Sequence, residues 1–153
     1  MLGFCIAYNF PVISIVRKEE GRKELEALGA NNILMQNDDD FRQQLQQISQ
    51  QLNATAIFDG VGGAALSNII DVVPFNSTIC SYGFLDKQML FSFNTSILMK
   101  GIAIKGFSNF RTQTVMNANN LEQALKDISN IIHQPHFITK TGKNSALKKQ
   151  MKH

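Results

Sequence analysis

Sulfur ligands and thiol pairs are nearly absent. The chain has only Cys5 and Cys80, each inside an apolar run, and its three histidines, His133, His136 and His153, lie far from both in sequence. This spacing offers neither a zinc-ligand pattern nor a disulfide framework. Long hydrophobic runs are missing too, because the longest, near the N-terminus, is interrupted by Gly3, Asn9 and Pro11. It has neither the length of a membrane span nor the small-residue cleavage site of a signal peptide. A reducing, cytoplasmic setting and no membrane partner are therefore expected.

An excess of positive charge is missing outside the C-terminus. Lys140, Lys143, Lys148, Lys149 and Lys152 stand beyond Ile138 without an acid among them; with those five set aside from the net +3, the rest of the chain carries −2. A nucleic-acid face needs cations spread along an element with aromatic or polar readers beside them. This tail has neither, so no nucleic-acid partner is expected. Residues 138–153 read as a basic tail, and residues 1–137 as one domain long enough to bury an apolar core. Several reaction signatures are absent as well: a Tyr-x-x-x-Lys arrangement, a Gly-x-Ser-x-Gly elbow and a Walker lysine loop. No catalytic side chain and no metal ligand is assigned.

Alternation of strand and helix patterns is what the sequence does contain. Pro11 to Val16 is short and β-branched, as a buried parallel strand should be. Glu19 to Leu28 follows as a helix with acids in its first turn and Gly29 as its stop. Asn32 to Met35 is the next strand. Asp40 to Gln43 has the form of a capping box, and Phe41, Leu45, Ile48 and Leu52 then recur at helical spacing. Thr55 to Asp59 is β-prone and breaks into Gly60-Val61-Gly62-Gly63, after which Ala64 to Val73 is helical until Pro74. Ser77 to Tyr82 and Gly101 to Phe107 complete the strands. Leu121, Leu125, Ile128, Ile131 and Ile132 mark a last helix, with Asn120 as its expected cap and Gln123 three residues on. No internal repeat or low-complexity linker competes. The pattern predicts an α/β fold, a parallel sheet with helices on both faces, because parallel neighbours need crossover connections.

Five segments carry a family likeness: Ile13-Ser14-Ile15-Val16-Arg17, Leu25 to Ala30, Asp59 to Gly63, Ser81-Tyr82-Gly83 and Lys105-Gly106-Phe107. In this order and spacing they resemble the cofactor domain of medium-chain dehydrogenase/reductases. Within that superfamily the chain looks most like the zinc-free quinone reductases and 2-enoyl thioester reductases, which use NADPH. The resemblance runs from Met1 to about Phe137. It implies a Rossmann-like, doubly wound, mostly parallel sheet that lacks its first strand and the glycine-rich turn after it. Met1 to Asn9 then falls in the helix that follows that turn, although Gly3 to Tyr8 is also compatible with an extended strand. The missing strand belongs between the second and fourth of the family sheet. Its absence requires the remaining strands to pair directly, swap with another chain or recruit another segment.

The resemblance also implies a cofactor site. Arg17 and Lys18 sit past the second family strand, where NAD enzymes place an acid on the ribose and NADP enzymes a cation on the 2′-phosphate; Arg22 is close in sequence. The planar guanidinium of Arg17 suits phosphate best. Val61 and Gly62 are implied at the nicotinamide ribose, and Tyr82, Gly83, Phe84, Phe107 and Ser108 beside the nicotinamide. Plainer readings stand beside these: a solvated helix start for Arg17, a structural turn for Asp59 to Gly63, and core packing for the aromatics.

The function implied is the cofactor-binding part of an NADPH-dependent oxidoreductase that reduces an enone, enoyl thioester or quinone. This polypeptide alone is expected to be inactive, because the proton donor of the similar enoyl reductases lies in a domain it does not contain. The resemblance further implies a homodimer through the strand Gly101 to Phe107. Two alternatives remain open: a catalytically inactive dimerising or binding module without cofactor, and another Rossmann-like binder, such as a methyltransferase, with Asp59 as a ribose acid.

Overall fold

The computed structural model describes residues 1–108 and 110–138, so Asn109 and the basic tail beyond Ile138 lie outside the described residues. Elements alternate along the chain as α1 (Leu2–Ala7), β1 (Ile13–Val16), α2 (Glu19–Ala27), β2 (Asn32–Met35), α3 (Phe41–Gln51), β3 (Ala56–Asp59), α4 (Gly63–Ile70), β4 (Thr78–Ser81), β5 (Ala103–Gly106), α5 (Gln113–Met116) and α6 (Ala118–Ile131). Short 3₁₀ turns occupy Thr95–Lys100 and Pro135–Phe137. The helical reading of the N-terminal segment holds, and the fold is Rossmann-like with all strand pairs parallel.

One feature departs from a single continuous sheet. β1 pairs with β2, β3 with β4 and β4 with β5, but no pairing joins β1 to β3. Among the described residues no other segment fills the break. Direct pairing of β1 with β3 is thus not the solution adopted here. Side chains bridge the break instead. Leu34 of β2 and Ile79 of β4, from different sheets, belong to one buried cluster with Phe41 and Leu45 of α3, Leu66, Ile69 and Ile70 of α4, and Ile97.

Helix ends show where local signals act. The chain turns out of α2 at Gly29, where Ala30 N donates to Leu25 O at 3.0 Å and Gly29 N to Glu26 O at 2.9 Å, a Schellman closure. The expected capping box at α3 does not form. Asp40 has φ −98° and ψ 8°, outside the extended region from which a cap side chain reaches back, and makes no side-chain cap bond. The cap of α6 is Asn117 rather than Asn120: its extended backbone lets the side chain accept from Asn119 N at 3.0 Å and Asn120 N at 3.2 Å. α6 carries the expected apolar stripe, but only Ile131 is buried, while Leu125, Ile128 and Ile132 stay exposed, as does Phe58 on β3.

Stability therefore rests on the shared cluster. Ile79→Ala, at a site with 0% exposure, is expected to cost about 2–5 kcal/mol. Ile128→Ala on α6 is expected to cost less than about 1 kcal/mol. Urea denaturation of both variants checks the contrast; equal losses would contradict it.

Candidate functional site

The carboxyl ends of the strands carry two groups of residues. At the end of β1, the chain leaves the sheet through Arg17 and Lys18, with Lys18 extended as the N-cap of α2. Gln36 N donates to Val16 O at 2.8 Å, which continues the β1–β2 ladder one residue past β2. Beside it, Arg17 Nε donates to Gln36 Oε1 at 3.1 Å, and Asn37 Nδ2 donates to Arg17 O at 3.3 Å. Arg22 is on α2, where its Nε meets Glu26 Oε1 at 3.0 Å. This bond, with the nearby charge of Glu19, raises the Arg22 pKa above its ordinary value. Its charge is therefore balanced along its own helix, whereas Arg17 makes no ion pair among the described residues.

At the end of β3, Asp59 organises the turn into α4. Its Oδ1 accepts from Val61 N at 3.0 Å and Gly62 N at 2.9 Å, and Oδ2 from Ser81 Oγ at 3.4 Å. The side chain is buried and its oxygens are occupied by the turn itself, which is not the outward presentation that a ribose acid needs. Gly62 and Gly63 follow with φ 72° and 54°, a left-handed stretch that residues with a Cβ adopt at a cost. The segment after β4 folds back over this turn. Val61 O accepts from Leu85 N and Asp86 N, both at 3.0 Å, and Asp86 Oδ2 accepts from Ala64 N at 3.0 Å in the first turn of α4. The two loops meet so closely that a Cβ on Gly60 would stand 2.9 Å from the Tyr82 ring.

Between the ends of β4 and β5 lies an open cavity of about 400 Å³, lined by Ser81, Tyr82, Phe84, Gly106, Phe107, Ser108, Arg111 and Thr112. Four of the residues singled out in the sequence, Tyr82, Phe84, Phe107 and Ser108, come together there. Val61, Gly62 and Gly83 do not line it: Gly62 is buried beneath Phe84, and Gly83 packs on the Gly60 carbonyl. Arg17 and Lys18 lie past β1 of the other sheet, and Arg22 lies on α2 paired with Glu26. Sequence reasoning missed Gln36, Asn37, Asp86 and Arg111. Only Asp86, an acid soon after Tyr82-Gly83, carried a local signal, as a turn former.

The profile of the zinc-binding dehydrogenase family matches residues 1–130. The chain belongs to that family. No curated protein matches its sequence. Among solved structures it is similar to a Mesorhizobium loti protein assigned as an NADPH:quinone reductase, at 22% identity and TM-score 0.68 over 84% of this chain and 39% of that one. It is likewise similar to the mitochondrial 2-enoyl thioester reductase heterodimer of Candida tropicalis, at 20% identity and TM-score 0.69 over 93% and 41%. A quinone oxidoreductase of Pseudomonas syringae shares 17% identity, with TM-score 0.72 over 92% and 43%. The chain therefore spans about two fifths of the length of these structures. The metal in the family's name finds no fit here: among the described residues no three His, Cys, Asp or Glu side chains gather to hold an ion.

Asp59 gives the sharpest test of this geometry. Asp59→Ala strands the amide of buried Gly62 and is expected to cost about 2 kcal/mol or more. Asp59→Asn keeps an acceptor at Oδ1 and is expected to cost about half as much. Denaturation midpoints of the two variants decide; an alanine variant as stable as the parent would contradict the assigned role.

Proposed function

We propose that this chain is the nucleotide-binding part of an NADPH-dependent oxidoreductase that reduces an enone, enoyl thioester or quinone. The observation that carries this reading is the charge at the end of β1. Arg17 and Lys18 are the first residues past β1, ahead of Glu19 and Glu20 in the first turn of α2, where a parallel α/β sheet meets the adenosine ribose. Ligands of such sheets lie in the crevice outside the carboxyl ends, and the residues present fit a dinucleotide there. Arg17 offers donors for a 2′-phosphate. The cavity at the other end, with Tyr82, Phe84 and Phe107 in its lining, has room and flat apolar walls for a nicotinamide.

When bound, NADPH supplies the hydride, and the protein supplies binding and orientation. Tyr82 and Phe107 would line the nicotinamide site, Phe84 packs against the Gly62 turn beside it, and Ser108 would offer a hydroxyl to the carboxamide. A solved relative held NADP together with crotonyl-CoA, which supports the choice of cofactor and of an enoyl thioester among the substrates. The free edge of β5, where Ile104 is exposed, supports a homodimer in which this strand meets its copy. Two free cysteines are in keeping with a cytoplasmic setting, and among the described residues no helix is long and apolar enough to cross a membrane.

A titration of the purified chain with NADPH and NADH, run beside Arg17→Ala, tests the reading. Saturable binding that prefers NADPH is expected, with the preference reduced about tenfold or more in the variant. A folded protein indifferent to both nucleotides would overturn it and favour a dimerising module without cofactor.

A further inference from the structure

We propose that Gln36 is a positioning residue for the 2′-phosphate, holding the Arg17 guanidinium by its Nε so that its two terminal amino groups form the anion-facing fork. The inference rests on the NADPH reading above and adds the residue that makes Arg17 effective.

Three hydrogen bonds fix the pair. The Gln36 backbone is tied to β1 through Val16 O at 2.8 Å, so its side chain starts from a rigid point on the sheet. Its Oε1 then takes the Nε proton of Arg17 at 3.1 Å, and Asn37 Nδ2 holds the Arg17 carbonyl at 3.3 Å. A guanidinium has donors only, so the amide must turn its oxygen toward it, and the orientation of Gln36 follows from chemistry. With Nε engaged, the edge that carries the two terminal amino groups remains to grip phosphate in two parallel bonds.

The partner's neutrality is the decisive point. Arg22 meets the carboxylate of Glu26, and Arg42 meets that of Asp71, so each has its charge balanced by an acid. Arg17 is held by an amide, which orients it without the direct ion pair that, among the described residues, Arg22 and Arg42 make. A long cationic side chain otherwise loses rotamer freedom when it binds, and anchoring it beforehand removes part of that cost. A glutamate at position 36 would do the opposite: it would pair with the guanidinium and repel a phosphate.

The test measures NADPH and NADH affinity by calorimetry for the parent, Arg17→Ala, Gln36→Leu, Gln36→Glu and the Arg17→Ala/Gln36→Leu double variant. Denaturation curves serve as the folding control, and the Arg17 Nε–H resonance of the ligand-free protein is followed by NMR. Gln36→Leu is expected to weaken NADPH by about three- to tenfold and leave NADH unchanged. Gln36→Glu should abolish the preference for NADPH, and the double variant should lose no more than Arg17→Ala alone, because Gln36 acts through Arg17. The Nε–H resonance should shift in Gln36→Leu without any nucleotide present. If the parent prefers NADPH and Arg17→Ala loses that preference while Gln36→Leu keeps it, the positioning role is overturned and the cofactor reading stands. If the parent shows no preference for NADPH, both fall together.

Discussion

A layer of apolar side chains holds together two sheets that share no hydrogen bond. Leu34 comes from the β1–β2 pair and Ile79 from the β3–β4–β5 sheet, and both meet α3 and α4 in the same buried cluster. In an unbroken parallel sheet, backbone ladders and side-chain burial act together. Here the ladders stop at β1 and β3, and side chains span the break: the buried cluster, with Arg42 of α3 reaching Asn68 O and Asp71 at the end of α4. Everything placed at the carboxyl ends inherits that arrangement, since Arg17 is carried by one sheet and Tyr82 and Phe107 by the other.

The two ends are built by different physics. At β1 the device is polar and local: a ladder bond, an amide and an arginine within a few residues of each other on adjacent strands. At β3 and β4 it is two loops interlocked through glycines, with Asp59 spending its lone pairs inside one turn and Asp86 capping α4 from the other. The first leaves a charge facing outward, whereas the second consumes its charges internally and leaves aromatic surface. A dinucleotide with a phosphorylated adenosine and a flat, neutral amide ring asks for that division.

Much of this was legible in the sequence. Every strand was found within two residues of its ends, since β-branched runs bounded by Gly, Pro or charge signal buried parallel strands. The stop of α2 at Gly29 was equally plain. Caps were less so, because a cap depends on the φ and ψ of one residue: Asp40 has the right side chain on the wrong backbone, and Asn117 outcompetes Asn120 by being extended. The apolar stripe of α6 correctly announced a helix but not its burial, because burial requires a partner surface that periodicity cannot see. The aromatic residues Tyr82, Phe84 and Phe107 after β4 and β5 were placed at the site, and all three line the cavity together with Ser108. Gln36 escaped notice since a lone glutamine carries no pattern; its meaning comes only from the parallel register that sets it beside Arg17.

The break between the sheets also governs mechanical coupling. Hydrogen-bonded ladders resist shear, because sliding one strand past another breaks bonds in register; elements joined by side-chain packing can make small sliding shifts without breaking a ladder. The span from Arg17 to Tyr82 is thus set by side-chain packing rather than by a backbone ladder. A long ligand gripping both ends would act as a strut, replacing with its own covalent length the rigidity that the backbone does not supply across the gap.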